Sequence, residues 1–487
     1  MRPLESLVAI LLAIHLLWPV RGRKRPPAVG LLPASAVLLL AAHANIEGTR
    51  WQMVLFYALA AVTFLTSIRA SLRTQNDSPK RQPLRIPLNL SLLAVSTALP
   101  ILLPVPSIPT PDGPYQAGTI TFELTDGSRK ELYSGRDEAR RFQIQVWYPS
   151  DPDPSDTRAP WMPKAEVLAP AIATYIDMPA FFLDHLALVR IPAYQDSKVA
   201  PTADGYPLIL FSHGWNGFSA QNSGQALQLA SHGYVVIGVQ HTYGAIVTVF
   251  SDGTIAENNP SALPRGAPDD EYDAAARKLV EQWAGDIGFA LDFMHAQNND
   301  PKSPFYRSLD LSRTGAYGHS TGGGAAIQFC GTDPRCKALL GMDPFMRPVS
   351  PEVLESGLPQ AAFFMFSQRW ADNVDSQNNK LFSSFYAGLE EPLGVVSIEG
   401  TTHYDFTDLP FLSPLAPQLG LKGPINGKRV TVIINDYLLS FFDMTLKGAP
   451  TSLFDRHNQR YAEVNDHRQR RWLWQAAPGR RALTVCY

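Results

Sequence analysis

Apolar residues follow two different patterns along this chain, and the change falls near residue 106. Before it, four almost unbroken apolar runs cover residues 7–20, 28–44, 51–68 and 88–105. Each approaches the roughly 20 residues a helix needs to cross a bilayer, so residues 1–106 are expected to form a membrane region of about four transmembrane helices. Residues 107–114 continue a Pro-rich stretch and read as a stiff linker. Beyond it, alternating runs at 118–124 and 141–148 read as strands. Continuous apolar runs at 208–211, 234–239, 314–317, 338–342, 362–366 and 395–398 read as further strands, the first two as strands buried on both faces. Helical periodicity marks 220–231, 269–296 and 427–446. This alternation predicts an α/β fold over residues 115–450, a mostly parallel sheet with helices on both faces and function at its strand ends. Residues 165–189 are apolar at helical spacing and read either as a flap beside a site or as a packing helix. Residues 451–487 form a polar, basic tail with Arg468, Arg470, Arg471, Trp472 and Trp474, expected on the surface or near lipid headgroups.

Charge orients the first region. Residues 21–25 carry four positive charges and residues 69–85 carry five, whereas the 45–50 loop has one, offset by Glu47. By the positive-inside rule both basic loops face the cytoplasm, and four spans put everything after residue 106 on the other side. Cleavage or surface binding of the first run would leave three spans and reverse that. His15 and His43 lie within apolar runs and read as packing residues. Charged residues make up 18% of the 487, low for a soluble protein. A net charge of −2 gives no electrostatic case for nucleic acid. Cys330, Cys336 and Cys486 have no metal-ligand spacing, so no zinc site is expected. Cys330 and Cys336 could be a disulfide in an oxidising compartment or two buried thiols.

The chemistry gathers around Gly318-His319-Ser320-Thr321-Gly322, which joins a short strand to a helix of small residues. Glycines two positions either side of a serine permit the sharp turn that lifts its hydroxyl above a sheet. A serine nucleophile needs a base, an acid to orient that base, and donors for an oxyanion. With the order Ser, acid, His, the base is read as His403, a short loop after a strand run, since His457 and His467 lie in the tail. His213 precedes Ser320 and reads as a buttress of its loop. Asp343 ends a strand, and Asp372 and Asp375 follow the next one; either place can hold the acid. After the 208–211 strand, Ser212-His213-Gly214-Trp215-Asn216-Gly217 can present the Trp215 amide as an oxyanion donor, with the Thr321 amide as its partner. Phe218, Phe345, Met346, Tyr404 and Phe406 are candidates for an acyl pocket, although several could equally be core.

Four segments, LILFSHGWNGF, LASHGYVVIGVQH, GAYGHSTGGG and GMDPFMRP, together resemble the platelet-activating factor acetylhydrolase group of α/β hydrolases, which shades into bacterial dienelactone-hydrolase-like esterases. THYDFTD, around His403, resembles that group's histidine region. The resemblance implies an α/β-hydrolase fold over about residues 115–450 and metal- and cofactor-free hydrolysis of short-chain or lipid-like acyl esters. It puts the nucleophile on Ser320, the acid on Asp343, the base on His403, and the oxyanion amides on Trp215 and Thr321. Two departures stand out: the four-span region, and Trp215-Asn216 in place of a smaller, more apolar pair. The combination predicts a multi-pass protein of a bacterial cell membrane with an extracytoplasmic catalytic domain. Acyl transfer to an alcohol by the same residues, or a non-catalytic membrane-tethered binding module, are the alternatives.

Overall fold

The computed structural model describes residues 1–18, 26–72, 85–455 and 460–467. In chain order its strands are β1 (Gln116–Lys130), β2 (Ala139–Ser150), β3 (Arg158–Pro160), β4 (Arg190–Gln195), β5 (Tyr206–Ser212), β6 (Val235–Gln240), β7 (Val247–Val249), β8 (Ile255–Glu257), β9 (Leu309–His319), β10 (Cys336–Met342), β11 (Ala361–Ser367), β12 (Pro392–Ile398) and β13 (Val464–Asp466). β7 and β8 form a hairpin; the others make one sheet in the order β13-β12-β11-β10-β9-β5-β6-β2-β1-β4-β3. Every pairing from β12 through to β6 is parallel, and β2 turns the sheet antiparallel on that side.

The central strands read as unbroken apolar runs because both of their faces are covered. In β5, Ile209 and Phe211 join one core with Leu227, Ile433 and Phe441, while Leu208 and Leu210 join another with Leu279, Trp283 and Ile327. That is the period-2 alternation of a strand, made apolar on both sides by two helical layers. The first layer holds the closing helix Gly427–Lys447 and the second holds the 31-residue helix Asp269–Asn299. Asp269, Asp270 and Glu271 in the first turn of the latter suit the positive end of its dipole.

The N-terminal region forms α1 (Pro3–Leu17), α2 (Pro27–Ile46), α3 (Val54–Leu72) and α4 (Arg85–Leu102). Two stretches, Ala28–Ile46 and Trp51–Arg69, are long and apolar enough to span a bilayer, while α1 and α4 are shorter. Residues 19–25 and 73–84, which hold most of the basic loop charges, lie outside the described residues. Buried Arg50 pairs with Glu5 at 2.7 Å and ties the start of α1 to the segment before α3. His15 meets the Val29 carbonyl and His43 meets Glu47 and Tyr57, and both histidines are buried. The same end of the bundle touches the α/β region: the Trp51 indole donates to the Phe182 carbonyl at 3.1 Å, and Gln52 bonds His185 at 2.9 Å.

Residues 165–189 are a packing element and not one helix: α5 (Ala165–Tyr175) is followed by a 3-10 helix, Ala180–Leu188. Leu168, Ala169, Leu183 and Leu186 are buried, while Tyr175, Met178 and Phe181 around the turn between are exposed. The tail contributes more than a polar surface. Leu453 and Tyr461 are buried, and β13 adds an antiparallel edge to β12. The folded unit therefore runs past residue 450. His467 bonds the Ser397 hydroxyl; His457, Arg468, Arg470, Arg471, Trp472, Trp474 and Cys486 lie outside the described residues.

Candidate active site

Parallel pairing brings the C-terminal ends of β5, β9 and β10 level: Ser212 lies opposite Gly318, and Met342 opposite His319. Ser320 follows at once, between β9 and the helix Thr321–Thr332, with φ 58° and ψ −123°. A non-glycine residue there is strained, by about 1–3 kcal/mol, and surrounding bonds hold it. The Ser320 amide donates to the Met342 carbonyl at 3.0 Å, and the Phe345 amide donates to the Ser320 carbonyl at 2.9 Å. A Cβ on Gly318 would strike the Gly322 carbonyl, and one on Gly322 would strike the carbonyls of Ser212 and His213. Gly322→Ala is therefore expected to destabilise by about 3 kcal/mol, the upper end of ordinary overpacking, seen as a clear fall in melting temperature. An unchanged melting point would mean that this turn is looser than drawn.

Asp343 directly follows β10, with φ 43°, and is completely buried. Its Oδ1 accepts from the Ser367 amide at 2.8 Å, and its Oδ2 accepts from the Ser367 hydroxyl at 2.6 Å. His403 Nδ1 meets the same Oδ2 at 3.0 Å. Burial pushes the Asp343 pKa up to about 7, against the two bonds from Ser367. Asp372 and Asp375, the other candidate acids, sit exposed on the loop after β11.

His403 opens the 3-10 turn His403–Phe406, whose start is fixed by Asp405 accepting from the Thr402 amide at 2.7 Å. Its ring stacks on Trp370 with centroids 4.7 Å apart and lies 4.3 Å from the His319 ring. His319 Nε2 bonds the His403 carbonyl at 2.9 Å. Burial lowers the pKa of His403, so its imidazole is neutral at ordinary pH and able to accept a proton. Nearby Asp343 orients the ring through Nδ1, which directs the Nε2 lone pair away from it.

Thr321 is the first residue of its helix, where amides lack an intrahelical acceptor. Gly214–Gly217 forms a turn closed by the Gly217 amide on the Gly214 carbonyl at 2.9 Å, with Asn216 at φ 57°. Among the described residues, neither the Trp215 nor the Thr321 amide donates to another backbone carbonyl outside regular elements. Trp215 is partly exposed, as is Phe345 among the expected pocket residues, and Tyr404 is 42% exposed and edge-on to His403. Phe218 is buried in the core, edge-on to Trp161. Met346 and Phe406 are wholly enclosed, and that expectation is corrected: both belong to the core. The Met346 amide is held by Asn378, and the Phe406 carbonyl by the side-chain amides of Asn222 and Gln225.

Sequence pattern gives no role to Ser367, Trp370 and His319 around the Asp343–His403 pair. His319 stands within the serine motif, and Ser367 ends the strand beside that of Asp343, but only the sheet order makes those positions adjacent. Cys330 and Cys336 form a disulfide, with Cα atoms 5.1 Å apart.

A mostly parallel sheet in this order, with a strained serine turn at the end of a central strand, is the α/β-hydrolase fold, and relatives place the chain among its carboxylic-ester hydrolases. The family described as platelet-activating factor acetylhydrolase, isoform II, matches residues 104–460, and the chain belongs to it. Platelet-activating factor acetylhydrolase of Cavia porcellus is 29% identical over 359 residues, covering 70% of this chain and 78% of that protein. A probable 1-alkyl-2-acetylglycerophosphocholine esterase of Arthroderma benhamiae is 25% identical over 392 residues, covering 73% and 92%. Among solved structures, ferulic acid esterase from Streptomyces cinnamoneus superposes with a TM-score of 0.61 at 25% identity, covering 74% of this chain and 99% of that one.

Proposed function

We propose that this protein hydrolyses short-acyl, lipid-like esters through Ser320, His403 and Asp343. The observation that carries the reading is the 3.0 Å contact between His403 Nδ1 and the buried Asp343 carboxyl, at the same sheet end as the strained Ser320. His403 Nε2 takes the proton of the Ser320 hydroxyl as its oxygen attacks the ester carbonyl. The tetrahedral oxyanion is stabilised by the amides of Trp215 and Thr321. The C–O bond to the alcohol then breaks as His403 returns the proton to the leaving oxygen. Water, deprotonated by His403, cleaves the acyl-enzyme and frees the acid. Acetylated phospholipid enters as a substrate class because relatives carry that activity in their names.

The N-terminal helices anchor this domain in a bacterial membrane in the same reading. Positive charge in the 21–25 and 69–85 loops favours a cytoplasmic position for them. An extracytoplasmic hydrolase region then accords with the Cys330–Cys336 disulfide. The test is hydrolysis of p-nitrophenyl esters from acetyl to palmitoyl by the full chain in detergent. Rates are expected to fall at least tenfold from the best short chain to palmitoyl, about 1.4 kcal/mol of discrimination. Equal rates across the series would remove the short-acyl assignment, and zero rates from folded protein would favour a tethered binding module.

A further inference from the structure

Beneath the loop that carries Trp215 lies a wholly buried polar chain that the reaction above does not use. Arg140 makes two bonds to Asp286, at 3.0 and 2.6 Å. Asp286 meets His241 Nδ1 at 3.0 Å, and His241 Nε2 meets the Ser212 hydroxyl at 2.9 Å. The His241 ring lies flat on Trp283, 4.2 Å away at 4°. Next, the His241 amide donates to His213 Nε2 at 3.3 Å, and His213 Nδ1 lies 2.7 Å from the Gly214 carbonyl. Arg140, Ser212, His213, His241 and Asp286 are all fully enclosed. Ser212, His241 and Asp286 form a serine-histidine-aspartate row, yet no substrate can reach it.

The partners determine each proton in this row. Burial alone would raise the Asp286 pKa, but Arg140 and His241 outweigh it and keep the carboxyl ionised. Facing a carboxylate, His241 Nδ1 carries a hydrogen, so its Nε2 accepts from the Ser212 hydroxyl. The backbone amide of His241 can only donate, so His213 Nε2 must be its bare acceptor. His213 then carries its hydrogen on Nδ1 and donates it to the Gly214 carbonyl. Burial and the neighbouring His241 lower the His213 pKa to about 3, which preserves that state at any ordinary pH.

The Gly214 carbonyl and the Trp215 amide belong to one planar trans peptide, so they point to opposite sides. Holding the carbonyl down therefore turns the Trp215 N–H up. It does so beside the nucleophile, since a Cβ on Gly214 would lie 3.2 Å from the Ser320 Cβ. We propose that His213 is a positioning residue that aims the Trp215 amide at the oxyanion, with its tautomer set by the His241 backbone amide on one side and the Gly214 carbonyl on the other. The role rests on the ester-hydrolase reading of Ser320. The Gly217 amide grips the same carbonyl, so loss of His213 weakens the aim without abolishing it.

The test compares full-length His213→Phe and His213→Gln with wild type, using p-nitrophenyl acetate turnover, fluorophosphonate labelling of Ser320 and thermal melting. Loss of an oxyanion donor costs about 10²–10³ in kcat. With the turn still closed, His213→Phe is expected to lose about 10- to 100-fold in kcat, with KM little changed. His213→Gln, which can donate to Gly214 and accept from His241, is expected to recover most of the loss. A folded His213→Phe with wild-type kcat, or a loss confined to KM, overturns the proposal. If His213→Phe does not fold, nitrogen-15 spectra of histidine-labelled wild-type chain decide. His213 must appear as the neutral Nδ1–H tautomer at neutral pH, and an Nε2–H tautomer overturns the proposal. Absence of Ser320 labelling in wild type would instead count against the ester-hydrolase reading, leaving the tautomer result to be judged separately.

Discussion

Replacing Ser320 with alanine is expected to lower ester turnover by about 10⁶-fold, the scale seen when a triad nucleophile is removed from subtilisin. The size of the effect follows from what alanine leaves behind. The amides of Trp215 and Thr321 would still polarise a carbonyl, and His403 would still be poised to activate water. Such remnants support about 10³–10⁴-fold catalysis over water alone, far below the acyl-enzyme route. Alanine removes only the hydroxyl, so the turn at Ser320 and the melting temperature are expected to persist. Turnover with p-nitrophenyl acetate, measured beside covalent labelling by a fluorophosphonate, checks both the rate and the labelled residue. Residual turnover above about one per cent in a purified, unlabelled variant, four decades over the expected level, would place the nucleophile elsewhere and take the proposed mechanism with it.

Much of this architecture is readable from sequence because each central element obeys one local rule. The β5 and β6 runs are apolar at every step, which signals burial on two faces, and the structure places both inside the sheet. Ser320 and Asp343 fall at strand ends, where sequence pattern alone locates residues well. The misses are those where partners come from afar. β3, β4 and β13 are short strands, three to six residues long, and owe their pairing to neighbours more than to their own pattern. Ser367 and Asp343 are 24 residues apart in the chain, and only the parallel β10–β11 pairing makes them meet. Met346 and Phe406 look suited to a pocket because they sit next to site residues, yet neighbouring side chains point to different surroundings. His213 reads as a buttress from its place before Ser320, but its proton arrangement depends on the backbone amide of His241, 28 positions further along the chain.

Asp343→Asn is expected to lower kcat by about 10⁴-fold, the cost of enforcing the wrong histidine tautomer in a serine hydrolase. The geometry dictates which way the new amide sits. Oδ1 of Asp343 receives the Ser367 backbone N–H, a group that can only donate, so the carboxamide oxygen of the substituted side chain must stay there. Its NH₂ group then takes the place of Oδ2, which in the native protein faces both His403 Nδ1 and the Ser367 hydroxyl. Opposite a donor, Nδ1 must become the acceptor, the ring proton moves to Nε2, and Nε2 can no longer take a proton from Ser320. Stability should move the other way. The folded-state pKa of Asp343 is raised to about 7 by burial, against about 3.9 in an unfolded chain. Its contribution to stability is therefore present below about pH 4 and lost as pH rises towards 7. Asparagine does not titrate, so the variant's melting temperature relative to wild type should rise between about pH 4 and pH 7 while activity stays low. Asp372→Asn, on the exposed loop, should leave both quantities unchanged. If Asp343→Asn kept turnover within about tenfold of wild type, or if Asp372→Asn carried the loss, Asp343 would not be the group that orients His403.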